Sequence, residues 1–516
     1  MKAQSRTAKS FKNSSVGLVF YLFSLTLQFF SRKIFLDRLG ADVLGLNTTA
    51  TNLLQFLNLA ELGIGAAIAC TLYRPLLDGD RRAVGEIVSL QGWMYRRIAW
   101  CVLGGGVLLM GLFPWIFAKM TLPLWYAYAS FGVLLASALL SYFVNYRQVL
   151  LSADQKEYRI QYSYRSAMLV KVLCQILAIR YLDNGYLWWL VLEALFAGVA
   201  AAALNFTIRR TYPDLHTDLS QGRRLSRKYP EVITKVRQLF FHKIGGFTLT
   251  QTTPVIIYAY TSLSLVALYG NYLLILTGIT SLMSALFNSM NAGVGNLVAE
   301  GDRERIMEVF EELFSARFLL CCTVCFGVYT LTPAFISLWV GSEYLLDNGT
   351  LALLTAILYI NLSRLTVDSY IYAYGLFSDI WAPIAEAVMN IGLSVLLGRF
   401  FGLHGILAGS LCSLVAVIFL WKPCYLFRRG LRVSLKRYAA LYARHLAALV
   451  PVAAIAAATV GRIPFDPFAG IGEWAAYGVL AVGGFFLLLY GMLCLLVRGM
   501  RDFTHRLIAL IQRNHA

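Results

Sequence analysis

Ionisable side chains inside long apolar runs are the residues of this chain best placed to do chemistry. Arg364 and Asp368 lie four residues apart in one such run, and Glu61 and Glu386 lie in two others. A charge at the centre of a bilayer costs about 2.5–3.5 kcal/mol, so in a spanning segment each is a candidate for a functional role, such as ion coupling. The alternatives are structural. Arg364 and Asp368 are spaced for an ion pair across one helical turn. Glu61 would have a bonded partner, and Glu386 would be hydrated at a helix end.

A second set of such residues is basic. Arg32 and Lys33 lie near the end of the first apolar run, and Lys243 and Lys171 lie in later ones. Phosphate and pyrophosphate are bound by Arg as a bidentate fork and by Lys as a point charge. Arg32, Lys33 and Lys243, together with Arg364, therefore predict a cationic path for an anionic ligand. Snorkelling of each side chain to lipid headgroups is the alternative.

The composition indicates that membrane-spanning helices position these side chains. Of the 516 residues, 59% are hydrophobic and only 14% are charged, and the mean hydropathy is +0.65. A soluble globular protein is about a quarter charged, so a large soluble enzyme is excluded. We predict an all-α polytopic membrane protein with about 14 transmembrane helices. The predicted spans are 15–36, 46–71, 93–118, 124–150, 165–182, 185–208, 240–262, 265–297, 314–340, 349–375, 381–400, 404–427, 441–461 and 473–497.

The distribution of Lys and Arg predicts the orientation. If the N-terminus is inside, 35 of the 45 basic residues lie on inner segments and 7 lie on outer ones. Cytoplasmic loops collect Lys and Arg, so we expect both termini in the cytoplasm. The same rule accounts for the net charge of +18, and nucleic acid is not an expected partner.

A repeated motif predicts two halves. Residues 78–81 read Asp-Gly-Asp-Arg and residues 300–303 read Glu-Gly-Asp-Arg, 222 positions later. Gly suits a turn and Asp suits the cap of the next helix, so the motif marks architecture. Two six-helix lobes in parallel repeat are expected. The predicted parts are an N-terminal lobe (1–208), a basic cytoplasmic linker (209–237), a C-terminal lobe (238–430), and two extra helices with a basic tail (431–516).

Three apolar segments resemble a known family. They are residues 62–68 (Leu-Gly-Ile-Gly-Ala-Ala-Ile), 72–76 (Leu-Tyr-Arg-Pro-Leu) and 269–275 (Tyr-Gly-Asn-Tyr-Leu-Leu-Ile). They resemble bacterial polysaccharide transporters, the O-antigen-type flippase branch of the multidrug/oligosaccharidyl-lipid/polysaccharide (MOP, MATE-like) exporter superfamily. Many relatives carry an acid in the middle of the seventh helix, where this chain has Gln251-Thr252-Thr253-Pro254. The resemblance therefore does not extend to an acidic ion site there.

The resemblance implies a transporter, not an enzyme, in the bacterial inner membrane. Its substrate would be a polyprenyl-pyrophosphate-linked oligosaccharide, a precursor of lipopolysaccharide O-antigen or exopolysaccharide, flipped from the inner to the outer leaflet by alternating access. Expected partners are this lipid-linked oligosaccharide, membrane lipids and glycan polymerase or assembly proteins, and a monomer is expected. No metal or cofactor is expected. Coupling by H⁺, by Na⁺ or by the membrane potential stays open.

Two other functions are alternatives. A cation-coupled exporter of small molecules, of the multidrug type, would use the same fold and would favour acidic cavity residues. A membrane glycosyltransferase or polymerase is the third candidate, but the short outer loops leave little room for an external catalytic domain. The chain also lacks the G-x-x-x-x-G-K-[ST] pattern of an ATP-binding loop.

Overall fold

The protein is described by a computed structural model that covers residues 6–61, 63–288, 291–376 and 378–515, with only the backbone described at some positions, including 241–250. The regular structure of these ranges is helical. The α-helices are α1 (Arg6–Leu57), α2 (Ile64–Asp78), α3 (Arg81–Gly111), α4 (Phe113–Ile116), α5 (Trp125–Phe143), α6 (Gln148–Ala153), α7 (Glu157–Ile160), α8 (Ser166–Tyr181), α9 (Gly185–Thr211), α10 (Gly222–Lys228), α11 (Pro230–Tyr260), α12 (Leu263–Asn288), α13 (Asn291–Glu300), α14 (Arg303–Trp339), α15 (Asn348–Ala373), α16 (Trp381–Leu414), α17 (Lys422–Tyr425), α18 (Leu435–Thr459), α19 (Ile471–Leu496) and α20 (Arg498–His515).

The prediction of an all-α polytopic membrane protein is confirmed. Within the described residues, 9 helical segments are long and apolar enough to cross a membrane. The longest, Trp381–Leu431, contains two of the predicted spans, and Ser15–Leu57 contains the first span and part of the second. The predicted spans 93–118, 165–182 and 240–262 fall on α3, α8 and α11, which are helical.

The second predicted span, 46–71, is interrupted. A 3₁₀ turn, Asn58–Glu61, separates the end of α1 from α2. Gly63 has φ of 92°, in the left-handed region that favours glycine, and a Cβ there would lie 2.8 Å from the Leu239 Cβ. The chain therefore turns at Gly63 and packs closely against α11, which hydropathy alone does not reveal.

α16 is two helices joined at Gly402, where φ is 54° and ψ is −131°. The two arms pack backbone to backbone, since a Cβ on Gly405 would lie 2.1 Å from the Leu397 carbonyl oxygen. Small polar residues bond across the contact: Asn390 Nδ2 donates to Ser410 Oγ at 2.9 Å. This packing through small residues is typical of membrane helices, and it fixes both arms.

The chain divides into two compact units, Met1–Ala267 and Leu268–Ala516. In the second unit, aromatic residues of α14 pack against α15, α18 and the helix that follows α16, with Phe310, Phe314 and Phe318 among the buried side chains. In the first unit, a smaller core forms around Phe35 and Tyr186. The predicted six-helix lobes rest on the sequence repeat and not on packing, and they stay a prediction.

The two copies of the repeated motif adopt the same local structure. Gly79 and Gly301 have φ of 70° and 80°, which places both in the left-handed region. Asp80 then caps α3 by accepting from the Ala83 amide, and Asp302 caps α14 by accepting from the amides of Glu304 and Arg305. The predicted turn and cap are confirmed at both positions.

The predicted linker 209–237 is mostly helical. It contains the end of α9, a 3₁₀ turn (Leu219–Gln221), α10 and the start of α11. Contacts with α3 hold it: Gly222 packs so closely that a Cβ would meet the Trp93 side chain, and Tyr229 donates to Glu86 at 2.7 Å. The hydrogen bond from Lys228 holds the pKa of Glu86 below its usual range.

Candidate functional site

Three charged side chains meet inside the second unit. Arg364 Nε donates to Asp368 Oδ2 at 2.8 Å, which confirms the pair predicted from the i,i+4 spacing. Lys422 Nζ donates to the other oxygen, Oδ1, at 2.9 Å. All three side chains are largely buried. Asp368 therefore bonds to two cations at once, and Lys422, the second of them, was not among the predicted site residues.

The position of Lys422 follows from the irregular helix after α16. α17 begins at Lys422 and lies between two π-helical segments, Val415–Trp421 and Leu426–Leu431. Such segments are rare and recur at functional sites, because the wider turn changes which side chains share a face. Here the first of them ends one residue before the lysine that reaches Asp368 in α15.

Glu386 lies beside this cluster. Its side chain is buried, with 4% of the residue exposed, so the expectation that it is hydrated at a helix end is wrong. Its Oε1 atom has no hydrogen-bond partner among the described residues. The carboxyl group interacts electrostatically with Arg364 and Lys422. The buried group of charges thus comprises two cations and two acids, with one acid unbonded at one oxygen.

Arg317 is a buried cation that was not among the predicted site residues, although it lies within the predicted span 314–340. It is 2% exposed. Its Nη1 donates to Ser369 Oγ at 3.2 Å, and the guanidinium lies 4.9 Å from the ring centre of Phe287. Among the described residues no carboxylate lies within 4.0 Å of it, and its Nε is unbonded. The apolar residues within two turns of Arg317 in the sequence were the signal that could have identified it as buried.

Glu61 has a structural partner in the first unit. Tyr95 donates its hydroxyl hydrogen to Glu61 Oε1 at 2.9 Å. Next to it, the Tyr142 hydroxyl donates to Asn58 Oδ1 at 2.8 Å. These bonds tie the 3₁₀ turn after α1 to α3 and α5. A coupling or substrate role for Glu61 stays a prediction.

The basic residues of the first unit make different contacts. Arg32 Nη2 donates to the Ala267 carbonyl at 3.0 Å. Lys33 lies 3.6 Å from Asp37 and is about half exposed. Lys171 Nζ bonds to Glu193 at 2.7 Å in a buried pair, which is a structural contact.

Lys243, the remaining member of the predicted cationic path, lies in α11, but its side chain is outside the described residues. Arg32, Lys33 and Lys243 belong to the first unit, whereas Arg364 belongs to the second and is engaged by Asp368. The path as a whole stays a prediction.

Solved structures of two kinds of transporter are similar to this chain. An inward-facing multidrug resistance MATE family transporter of the MOP superfamily covers 82% of this chain and 99% of its own length, with a TM-score of 0.58 and 14% identity. The lipid II flippase MurJ, in an inward closed conformation, covers 92% of this chain and 98% of its own, with a TM-score of 0.63 and 12% identity. The chain shares the fold of these two structures. A MATE structure in a bent conformation matches with a TM-score of 0.51 and 13% identity over 83% of this chain.

No protein-family model matches the sequence, and no curated protein matches it significantly. At identities of 12–14%, the structural similarity establishes the fold of the chain, that of an all-α multi-pass membrane protein. The substrate and the source of energy must be argued from the side chains.

Proposed function

We propose that this protein flips a polyprenyl-pyrophosphate-linked oligosaccharide from the inner to the outer leaflet of the bacterial inner membrane by alternating access. The observation that carries the proposal is the buried guanidinium group of Arg317 in the second unit, beside a group of two cations and two acids. Asp368 bonds to two cations, and Arg317 has no carboxylate partner among the described residues. Buried guanidinium and ammonium groups suit an anionic cargo such as a pyrophosphate.

Two further considerations support the proposal. The MurJ flippase covers 92% of this chain, against 82% and 83% for the MATE structures. Moving one charge across 100 mV is worth about 2.3 kcal/mol, so export of a dianion from an inside-negative cell gains roughly 4–5 kcal/mol from the membrane potential alone. Flipping on this account needs no nucleotide.

A cation-coupled exporter of small molecules is the second candidate. The observation in its favour is Glu386, a buried carboxyl group with one oxygen unbonded within the described part of the chain. A group in that state is suited to binding a proton or a cation. In this case the nearby charges of Arg364 and Lys422 would influence whether Glu386 binds a proton.

Reconstitution separates the two candidates. The full chain is placed in liposomes that contain a fluorescent polyprenyl-diphosphoryl disaccharide, and dithionite reports how much label reaches the outer leaflet. We expect faster exchange than in protein-free liposomes, with a further increase when a potential favours export of the anion. Absence of exchange, together with efflux of a cationic dye under a proton or Na⁺ gradient, would replace this proposal by the exporter.

A pair of variants sharpens the comparison. Glu386→Gln removes a buried ionisable carboxyl group, and Glu304→Gln makes the same change at an exposed position of the same unit. Flipping driven by the potential alone should be similar in both variants. Gradient-driven dye efflux lost only in Glu386→Gln would favour the exporter.

A further inference from the structure

A cavity of about 650 Å³ opens in the second unit. It lies where α15 ends, α16 begins and the irregular helix after α16 ends. Three arginines line it, Arg428, Arg429 and Arg432, together with one acid, Asp379. The positive-inside count assigns these segments to the cytoplasmic side.

The three arginines are exposed side chains at this lining. None of them forms an ion pair with a residue in the described ranges, whereas the neighbouring Arg437 pairs with Glu311 at 2.8 Å. Asp379 accepts a long hydrogen bond from the Trp421 indole, at 3.4 Å, in place of an arginine. The lining thus carries three positive charges and one negative charge. It is complementary to a ligand with about two negative charges.

Aromatic rings form another side of the same cavity. Trp381 and Trp421 meet edge to face with ring centres 4.6 Å apart, and Tyr425 stacks on Trp421 at 6.0 Å. The Tyr425 hydroxyl lies 2.7 Å from Ser378 Oγ, which fixes the ring. Ordered aromatic faces beside polar groups bind molecules that have one apolar face and one hydrogen-bonding edge, as sugars have.

The backbone that presents the arginines is irregular. Arg428 and Arg429 lie in the π-helical segment Leu426–Leu431, and Arg432 follows it with φ of 54°. A left-handed conformation is strained at a residue other than glycine and recurs at ligand sites. Two uncommon backbone features therefore coincide at the three residues that line the cavity.

We propose that this cavity binds the glycosyl diphosphate headgroup of the lipid-linked substrate before translocation. The guanidinium groups would bind the two phosphates, and the indole rings would contact the first sugar. The assignment to a lipid rests on the proposed function. A soluble nucleotide sugar shares the same diphosphate and sugar chemistry, so the test compares the two sources.

The test measures binding to the purified full-length chain in detergent. The probes are farnesyl-diphosphoryl-N-acetylglucosamine, UDP-N-acetylglucosamine and inorganic pyrophosphate. Arg428→Gln with Arg429→Gln should weaken binding of the lipid glycoside about 30- to 100-fold, because two charge-assisted contacts are lost. Arg399→Gln with Arg462→Gln, at two exposed arginines of the same unit outside the cavity lining, is the matched control and should bind as the unmodified chain does.

A third variant examines the aromatic side. Trp381→Leu should weaken binding of the lipid glycoside at least fivefold and leave binding of pyrophosphate within twofold. Equal unfolding temperatures of the variants establish that they are folded.

Unchanged binding in the Arg428 and Arg429 double variant overturns the site. Tighter binding of UDP-N-acetylglucosamine than of the lipid glycoside overturns the lipid assignment. A chain that binds the glycoside at this cavity but exchanges none in liposomes contradicts the proposed function and leaves the site intact. If the unmodified chain and the double variant exchange the glycoside at the same rate and bind it equally well, the site is rejected and the proposed function stands.

Discussion

Lys422 Nζ lies 2.9 Å from Asp368 Oδ1, so a lysine from a basic segment neutralises a carboxylate of α15 that already bonds to Arg364. Each cation approaches a different oxygen of the same carboxylate. The loss of either one leaves Asp368 with a partner. Either cation can therefore be removed by mutation while Asp368 keeps one charged partner.

The first prediction concerns the stability of this cluster. Arg364→Met should lower the free energy of unfolding by about 1–2 kcal/mol, because Lys422 still neutralises Asp368. Arg364→Met with Lys422→Met leaves a buried unpaired charge and should cost about 3–5 kcal/mol. Adding Asp368→Asn to the double variant should restore most of that loss. Thermal unfolding in detergent measures all three variants. A double variant no less stable than Arg364→Met would contradict the pairing.

The second prediction concerns the cationic path. Lys243→Ala and Arg32→Ala should each slow glycoside exchange in liposomes roughly ten- to a hundred-fold, since each removes a charge-assisted contact worth about 1.5–3 kcal/mol. Lys243→Arg should keep most of the activity because it keeps the charge. Arg462→Ala, at an exposed position, is the control. Normal exchange by Lys243→Ala and Arg32→Ala at normal protein levels would exclude the path.

The third prediction concerns orientation. A cysteine at the exposed position Arg224 should react with an impermeant thiol reagent only after the cells are opened. One at Gly470 should react in intact cells with a permeabilised outer barrier, and a Cβ there meets no neighbour. Labelling of position 224 from outside would reverse the topology. Labelling of the native protein is reduced by replacing its exposed cysteines with alanine, namely Cys70, Cys101 and Cys412.

The fourth prediction concerns pH and the cap of α15. Desolvation works against ionisation of Asp347, but hydrogen bonds from Thr350 and His404 outweigh it and lower the pKa of Asp347 to about 2. A depressed carboxyl pKa stabilises the folded state above the unfolded value of about 3.9, and this contribution disappears as the pH falls towards 2. Because the Asp347 and His404 side chains are about half exposed, it amounts to less than about 1 kcal/mol.

Asp347→Asn tests this by removing the charge while keeping an oxygen that can cap the helix. At pH 5 the variant should unfold about 1–2 °C below the unmodified chain. At pH 3 the difference should be roughly half as large. A difference that grows between pH 5 and pH 3 would mean that the carboxylate does not stabilise the fold.

The parts of the fold that follow from local sequence were predictable. Hydropathy places the helices, and the Gly-Asp pairs at 79–80 and 301–302 predict turns and caps that both units contain. The break at Gly63 and the helices inside the linker were not predictable. They depend on α11 approaching Gly63 and on α3 holding α10, and those contacts join distant parts of the chain.

The same distinction holds for the candidate site. Arg364 and Asp368 are four residues apart, so helical periodicity alone pairs them. Lys422 is 54 residues from Asp368, and Glu193 is 22 residues from Lys171, so only packing brings these partners together. Arg317 was not predicted as a site residue, since a count of basic residues has no measure of depth. Burial is a property of the assembled unit.

The two π-helical segments around Lys422 have a consequence for comparing this chain with its relatives. A π turn closes its hydrogen bond over five residues and an α turn over four, so each π segment contains an additional residue. A relative whose helix is α throughout would need a one-residue gap opposite each segment. An alignment without those gaps shifts Lys422 by one position, or about 100° around the helix. The partner of Asp368 would then be compared with a residue that faces elsewhere.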